Sequence, residues 1–199
     1  PEPFKQMLYN GKVIAQDGSY FSKTKGNGPD PLKIIEQGYG ADALRVYLMF
    51  AAPLELGARW DPQGVPGAHR FLSRLWNITQ ELQAAPAANL TEAEAKQVLG
   101  VAHKTAQKVS EDIEANRYNT AIAAVMEAVN NLYLLKTNST FGRSDAWQEA
   151  LEYLVMSIAP FAPHISDELW QQLGHSDSVH RDHWPKINEK YLTDDMITI

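Results

Sequence analysis

"YNTAIAAVMEAVNNLY", residues 118–133, sets Ile122, Val125, Met126, Val129, Leu132 and Tyr133 on a single stripe of a helix that starts near Asn119. The apolar positions recur about every 3.6 residues rather than every two, which excludes a half-buried strand. A stripe of this kind has to be covered, and the flanking segments carry matching faces. Upstream, Thr91-Glu92-Ala93-Glu94 is a capping box: Thr91 can accept from the amide of Glu94 while Glu94 reaches back to the amide of Thr91. The helix it opens turns Val98, Ala102, Ala106, Val109 and Ile113 to one side. Before it, Asp61-Pro62 provides a cap and a proline at the first helical position, followed by Phe71, Leu75, Ile78 and Leu82 at helical spacing. "AAPAAN" at 84–89 links the two. Downstream, a helix from about Asp145 turns Leu151, Leu154, Val155 and Ile158 inward and is broken by Pro160 and Pro163. "HISDELWQQL" then makes a short helix ending at Gly174. Amphipathic helices with short connections predict a bundle. The periodicity is lost beyond Asp182, and "MITI" at 196–199 reads as a strand.

The chain has 199 residues, 44% of them hydrophobic, enough to bury a core. No apolar run approaches the roughly 18 residues of a membrane span, and no secretory signal pattern precedes the first element. With no cysteine, disulfides and thiolate metal sites are excluded. A cytoplasmic protein is the expectation, with no membrane partner. Pro1 is not an initiator methionine, so a processed or excised piece is expected. The net charge of −6 is unevenly placed: residues 145–199 hold ten acidic and three basic side chains, whereas residues 1–144 hold 14 acidic and 15 basic. The first part can therefore carry local basic patches that an overall negative charge would seem to forbid.

Residues 1–60 read differently. Short apolar runs alternate with Asn10-Gly11, Asp17-Gly18 and Gly26-Asn27-Gly28-Pro29. Val13-Ile14-Ala15 predicts a short strand. "PFKQMLY" before it fits either a short helix stopped by Gly11 or one arm of a hairpin turning at Asn10-Gly11, and the helix is preferred. Asp30-Pro31 caps and opens another helix, Gly38 and Gly40 punctuate, and "ALRVYLMFAA" follows Asp42 and stops at Pro53. Between these lies "SYFSKTKGNGPDPL", residues 19–32, with Lys23 and Lys25 among glycines. Lysine is a point charge on a flexible stem and glycine allows close backbone approach, so such a loop suits phosphate oxygens, although it lacks the P-loop order. From the loop alone, a solvated turn with two ordinary lysines is the preferred reading.

The neighbouring residues separate these readings. "FSKTKGNGPDPLKIIEQGYGADALRVYLMFAAP" resembles the segment around and after the Lys-Met-Ser-Lys-Ser motif of class I aminoacyl-tRNA synthetases. "MFAAPLELGARWDPQGVPGAHRFLSRLWN" is similar to the leucyl-tRNA synthetase family in particular, as are "YNTAIAAVMEAVNNLY" and "APFAPHISDELWQQLG" to that family's anticodon-binding-type helices. The resemblance implies a mainly α fold: residues 1–60 as the C-terminal part of an α/β catalytic domain, 61–185 as a helical bundle, and 186–199 as a link toward a further domain. It also implies ligation of leucine to tRNA(Leu) through leucyl-adenylate, with ATP and Mg2+ as co-substrate. A fragment of this extent is not expected to be catalytic by itself, and a monomer is expected. The motif maps onto Tyr20-Phe21-Ser22-Lys23-Thr24, so its first lysine is here Tyr20, its methionine Phe21 and its last serine Thr24. Lys23 takes the place of the lysine that meets the phosphates as pyrophosphate leaves. Ser22, Thr24 and Lys25 complete the implied ATP contacts, with Lys25 able to make up for the charge missing at Tyr20.

Arg70 and Arg74 lie four apart on one helix, as do Lys104 and Lys108 on another, so each pair shares a face. In a bundle resembling one that docks on tRNA, these four are the implied phosphate contacts. No metal site is expected: His164 opens a short helix, and His175, His180 and His183 lie in a polar, turn-rich stretch. Trp76, Trp147 and Trp170 read as core residues and Trp60 as packing a domain junction. The competing readings are a noncatalytic synthetase-like module binding RNA or protein, favoured by Tyr20 and Phe21, and a valyl or isoleucyl enzyme, disfavoured by "FAAPLELGARW".

Overall fold

The computed structural model describes residues 3–5 and 7–193. Two short parallel strands, β1 (Val13–Ile14) and β2 (Ala58–Arg59), pair Val13 with Ala58 and Ile14 with Arg59. Between them lie α1 (Pro31–Ile34) and α2 (Gly40–Phe50), joined by a wide turn in which Gly38 adopts φ 89°. Five helices follow: α3 (Gly64–Ala84), α4 (Glu92–Glu114), α5 (Tyr118–Asn138), α6 (Asp145–Ile158) and α7 (Pro163–Gln172).

The helical stripes close on one core. Leu75, Ile78, Val98, Ala102, Ile122, Val125, Leu132, Leu151, Leu154 and Ile158 are fully buried, and Trp147 and Trp170 lie among them. Ile113, Met126, Tyr133 and Trp76 are partly buried at the edge of this core. The capping box of α4 is present in both directions, and Glu94 also accepts from the amide of Thr140, 2.8 Å away in the α5–α6 connection. Those amide bonds, Thr91 first and then Thr140, draw the Glu94 carboxyl down to about 2. The α4–α5 turn is built on Asp112, a fully buried carboxylate that binds Lys108 Nζ (2.5 Å) and Arg117 Nε (2.9 Å). Burial pushes its carboxyl up, but the bonds from Lys108, Thr120 and Arg117 outweigh that and leave it lowered.

Three local readings are corrected. Residues 3–5 and 7–10 form no helix, and Asn10-Gly11 makes no hairpin turn. Instead Gly11 N donates to Leu54 O (2.7 Å), and a Cβ on Gly11 would stand 2.1 Å from Leu56 O. The glycine serves a close backbone approach beside the parallel ladder, so extended chain displaces the helix. At Asp61-Pro62 the cap is a turn: Asp61 Oδ1 accepts from Gln63 N (2.9 Å), and α3 starts at Gly64. The linker at 84–89 lies where expected except that Ala84 still belongs to α3, and it is pinned by Ala88 N donating to Arg143 O (3.0 Å) and Arg143 N to Pro86 O (2.9 Å). The strand expected at 196–199 lies outside the described residues.

Candidate functional site

The loop after β1 is shaped by its backbone and one amide side chain. Ile14 bridges Tyr20 in antiparallel fashion, and Ala15 N donates to Ser19 O (2.9 Å) across the turn at Asp17-Gly18. Asn27 then closes the base: its Oδ1 accepts from Ser22 N (2.9 Å), and its Nδ2 donates to Ser19 Oγ and Tyr20 O, each at 3.3 Å. Gly26, at φ 60°, returns its N–H to Ser22 O (3.0 Å). Lys23, Thr24 and Lys25 therefore project into solvent from a tight turn, with Ser22 half-buried at its root. Asp17 Oδ1 accepts from Ser19 N (2.9 Å), which is the main reason its carboxyl lies below the usual range, and Lys25 adds to the effect. The turn presents lysines and fixes only their backbone, so the flexible stems set where the ammonium groups lie. Asn27 was not singled out by sequence reasoning. Its signal is an amide side chain between two glycines, the kind of residue that bonds nearby backbone.

The segment carrying this loop is attached to the bundle through α2. Asp42 is buried, and its Oδ2 accepts from Ile165 N (2.7 Å) while His164 Nδ1 donates to Oδ1 (2.7 Å). Helix α7 has Ala162 at its N-cap, which offers no side-chain acceptor, so Asp42 caps it from another element. One turn along α2, Arg45 Nε donates to Phe161 O and its Nη2 to Pro160 O, both at 3.2 Å. Tyr47 stacks edge-on against Trp60 (5.0 Å) and accepts from Asp61 N (2.7 Å). Trp60 thus packs the junction, as expected. The Asp42–His164 contact spans 122 residues of sequence, so an acid in the first turn of α2 gave no hint of it.

The four predicted basic residues fall into two groups. Arg70 and Arg74 stand exposed on α3. Arg74 Nη1 donates to Asn130 Oδ1, its guanidinium lies 4.6 Å from the Tyr133 ring centroid, and the Tyr133 hydroxyl donates to Arg74 O (3.1 Å). Lys104 and Lys108 instead line a groove of about 840 Å³ between α4 and α5, together with Gly100, Ala124, Ala128 and Asn131. Asn130 and Asn131 lie on different flanks of α5, so the two pairs are not brought to one surface. The histidines have protein partners: His175 Nε2 lies 2.9 Å from Glu152 Oε1 and its ring stacks on Trp170, while His180 Nε2 lies 3.2 Å from Pro163 O. Buried His103 holds the end of the described chain, with Nδ1 accepting from Asn188 N (3.3 Å) and its ring stacked on Tyr191 (4.8 Å). Burial pushes this imidazole below its ordinary range, with Glu149 opposing.

A family model for the anticodon-binding domain of tRNA ligase matches residues 95–199, and one for class I tRNA synthetases (I, L, M and V) matches residues 1–61. The chain is 38% identical over 199 residues to the leucine–tRNA ligase of Deinococcus radiodurans, covering all of this chain and 24% of that protein. It is 43% identical over 204 residues to the leucine–tRNA ligase of a Marinomonas species, again covering all of this chain and 25% of the relative. The chain thus spans about a quarter of the length of the curated relatives it matches. Among solved structures, the ternary complex of Agrobacterium radiobacter K84 agnB2 LeuRS, tRNA and LeuAMS superposes with a TM-score of 0.81 at 31% identity, over 96% of this chain and 26% of that one. Mycobacterium tuberculosis methionyl-tRNA synthetase in complex with methionyl-adenylate shares the fold, with a TM-score of 0.65 at 16% identity over 84% of this chain and 38% of that one.

Proposed function

Because the chain belongs to the family of tRNA-ligase anticodon-binding domains, with a class I synthetase segment ahead of it, we propose that it is the phosphate-loop and tRNA-docking part of a leucine–tRNA ligase. The observation that carries this reading is the match of the whole chain, loop segment and bundle in order, to leucine–tRNA ligases. In this reading residues 1–60 end the catalytic domain, 61–185 form the docking bundle and 186–199 lead onward. The bundle meets the shape and phosphates of tRNA(Leu) through Arg70, Arg74, Lys104 and Lys108.

In the proposed reaction a leucine carboxylate oxygen attacks the α-phosphorus of ATP, which enters as its Mg2+ complex. The bond to the β-phosphate breaks with its electron pair, and pyrophosphate leaves. Lys23 on the exposed turn meets the charge that grows on the leaving group, so it stabilises the transition state more than the bound substrate. Ser22, Thr24 and Lys25 surround the same oxygens. A charge pair about 4 Å apart at an effective dielectric near 20 is worth about 4 kcal/mol, roughly a thousandfold in rate. In the full-length ligase, Lys23→Ala is expected to lower leucine-dependent ATP–pyrophosphate exchange by roughly two to three orders of magnitude, with much less effect on ATP affinity. An unaltered protein with no exchange on leucine, valine or isoleucine would leave the noncatalytic RNA-binding module, which Tyr20 and Phe21 favour.

A further inference from the structure

Lys12 lies outside the loop motif, one residue before β1, yet its ammonium stands over the Tyr20 ring, 5.1 Å from the centroid. The bridge beside it explains why. Ile14 faces Tyr20 across an isolated antiparallel bridge, and Lys12 precedes Ile14 by two residues. Side chains two apart on extended chain share a face, so Lys12 comes to the side of Ile14 on which Tyr20 lies.

The company Lys12 keeps leaves its charge available. An aromatic face attracts an ammonium without neutralising it, whereas a carboxylate partner would already occupy it. Residues 12–28 contain three lysines and one carboxylate, Asp17. That carboxylate is turned to the Ser19 amide and feels Lys25. Of the three cations, Lys25 is thus the one partly offset. The motif position that carries a lysine in the resembling family is here Tyr20, and the Tyr20 ring is what positions Lys12.

We infer that Lys12 is a second phosphate-contacting cation of the loop, delivering from the strand side the positive charge that Tyr20 itself does not carry. The inference rests on the ligase reading above. In the adenylation step Lys12 forms no bond and transfers no proton. Its ammonium binds oxygens of the pyrophosphate as that group takes up the electron pair of the breaking P–O bond.

The test uses the full-length ligase and leucine-dependent ATP–pyrophosphate exchange. Lys12→Gln is expected to lower exchange by roughly ten- to a hundredfold, less than the 10²–10³ carried by a rigid donor because the side chain is flexible and exposed. Lys12→Arg should retain most of the rate. Adding Tyr20→Lys to Lys12→Gln should recover it, because charge then returns from the motif position. Lys186→Gln, at an exposed lysine beyond α7, should match the unaltered ligase. Exchange by Lys12→Gln within about threefold of the unaltered ligase overturns the inference while leaving the ligase reading intact. A loss that follows a lowered unfolding midpoint and is not recovered by Tyr20→Lys overturns it too. An unaltered ligase that shows no exchange overturns the ligase reading, and the inference with it.

Discussion

Residues 3–60 and residues 64–179 are held in place by different physics. The bundle buries its own stripes: every helix from α3 to α7 contributes to one continuous core. The described residues up to 60 contribute only four buried side chains, Asp42, Ala43, Val46 and Tyr47, all on α2. Phe4, Met7, Leu8, Tyr9, Leu48, Phe50 and Leu56 remain exposed around a ladder of two residue pairs. A strand pair that short has little stability of its own. The loop segment is therefore tied to the bundle through α2, whose Ala43, Val46 and Tyr47 join the bundle's core and whose Asp42 caps α7. Under the ligase reading the exposed apolar surface belongs against the remainder of the catalytic domain.

The largest effect that sharpens this contrast is a cavity. Leu154 on α6 is fully buried, so Leu154→Ala should lower the unfolding free energy by about 2–5 kcal/mol. Leu56→Ala, at a side chain 62% exposed, should change it by less than about 0.5 kcal/mol. Chemical denaturation of the two variants checks this. Equal losses would mean that the extended chain around β1 and β2 is as tightly packed as the core that α2 shares with the bundle, and the division would be broken.

What was legible in the sequence divides along the same line. The bundle's helices repeat about every 3.6 residues and close against sequence neighbours, so periodicity and the Thr91–Glu94 box located them within a few residues. The N-terminal part depends on partners far along the chain. β1 pairs with β2 beyond two helices, and Gly11 is required by the backbone at Leu56. A local pattern cannot show such pairings, and "PFKQMLY" was accordingly misread as a helix. At the site, Lys23 and Lys25 were visible as charges among glycines. Lys12 was not, because the ring that positions it comes from across a turn. Asp42 looked like an acid in the first turn of its own helix, where it complements the dipole, but it caps a different helix.

Asp42 provides the intermediate effect. Asp42→Ala leaves Ile165 N without the buried carboxylate that accepts from it, a loss of about 1–3 kcal/mol. The expected signature in amide hydrogen exchange is local: faster exchange at Ile165 and through residues 40–50, with α4 and α5 unchanged. Uniform acceleration throughout the bundle would show that the cap stabilises all of the helices rather than the junction alone.

The smallest effect concerns the bundle's outer face, where a structural role and a binding role can be separated between two adjacent arginines. Arg74 is tied to Asn130 and stacked on Tyr133, so Arg74→Ala should destabilise the fold by up to about 1 kcal/mol even without RNA. Arg70 is exposed one turn earlier on α3, and Arg70→Ala should leave stability unchanged. If both also hold phosphate, each substitution removes about one unit from the slope of log affinity against log salt for tRNA(Leu), and the double variant about two. Exchanging anticodon bases should change little, because phosphate contacts position a nucleic acid without reading its sequence. A double variant with the unaltered affinity and slope would leave Arg74 as a brace between α3 and α5 and Arg70 as ordinary solvated surface. The RNA-facing role would then pass to the groove of Lys104 and Lys108 on the other flank of α5, where Lys108 already serves Asp112 and a phosphate would have to compete with a buried carboxylate.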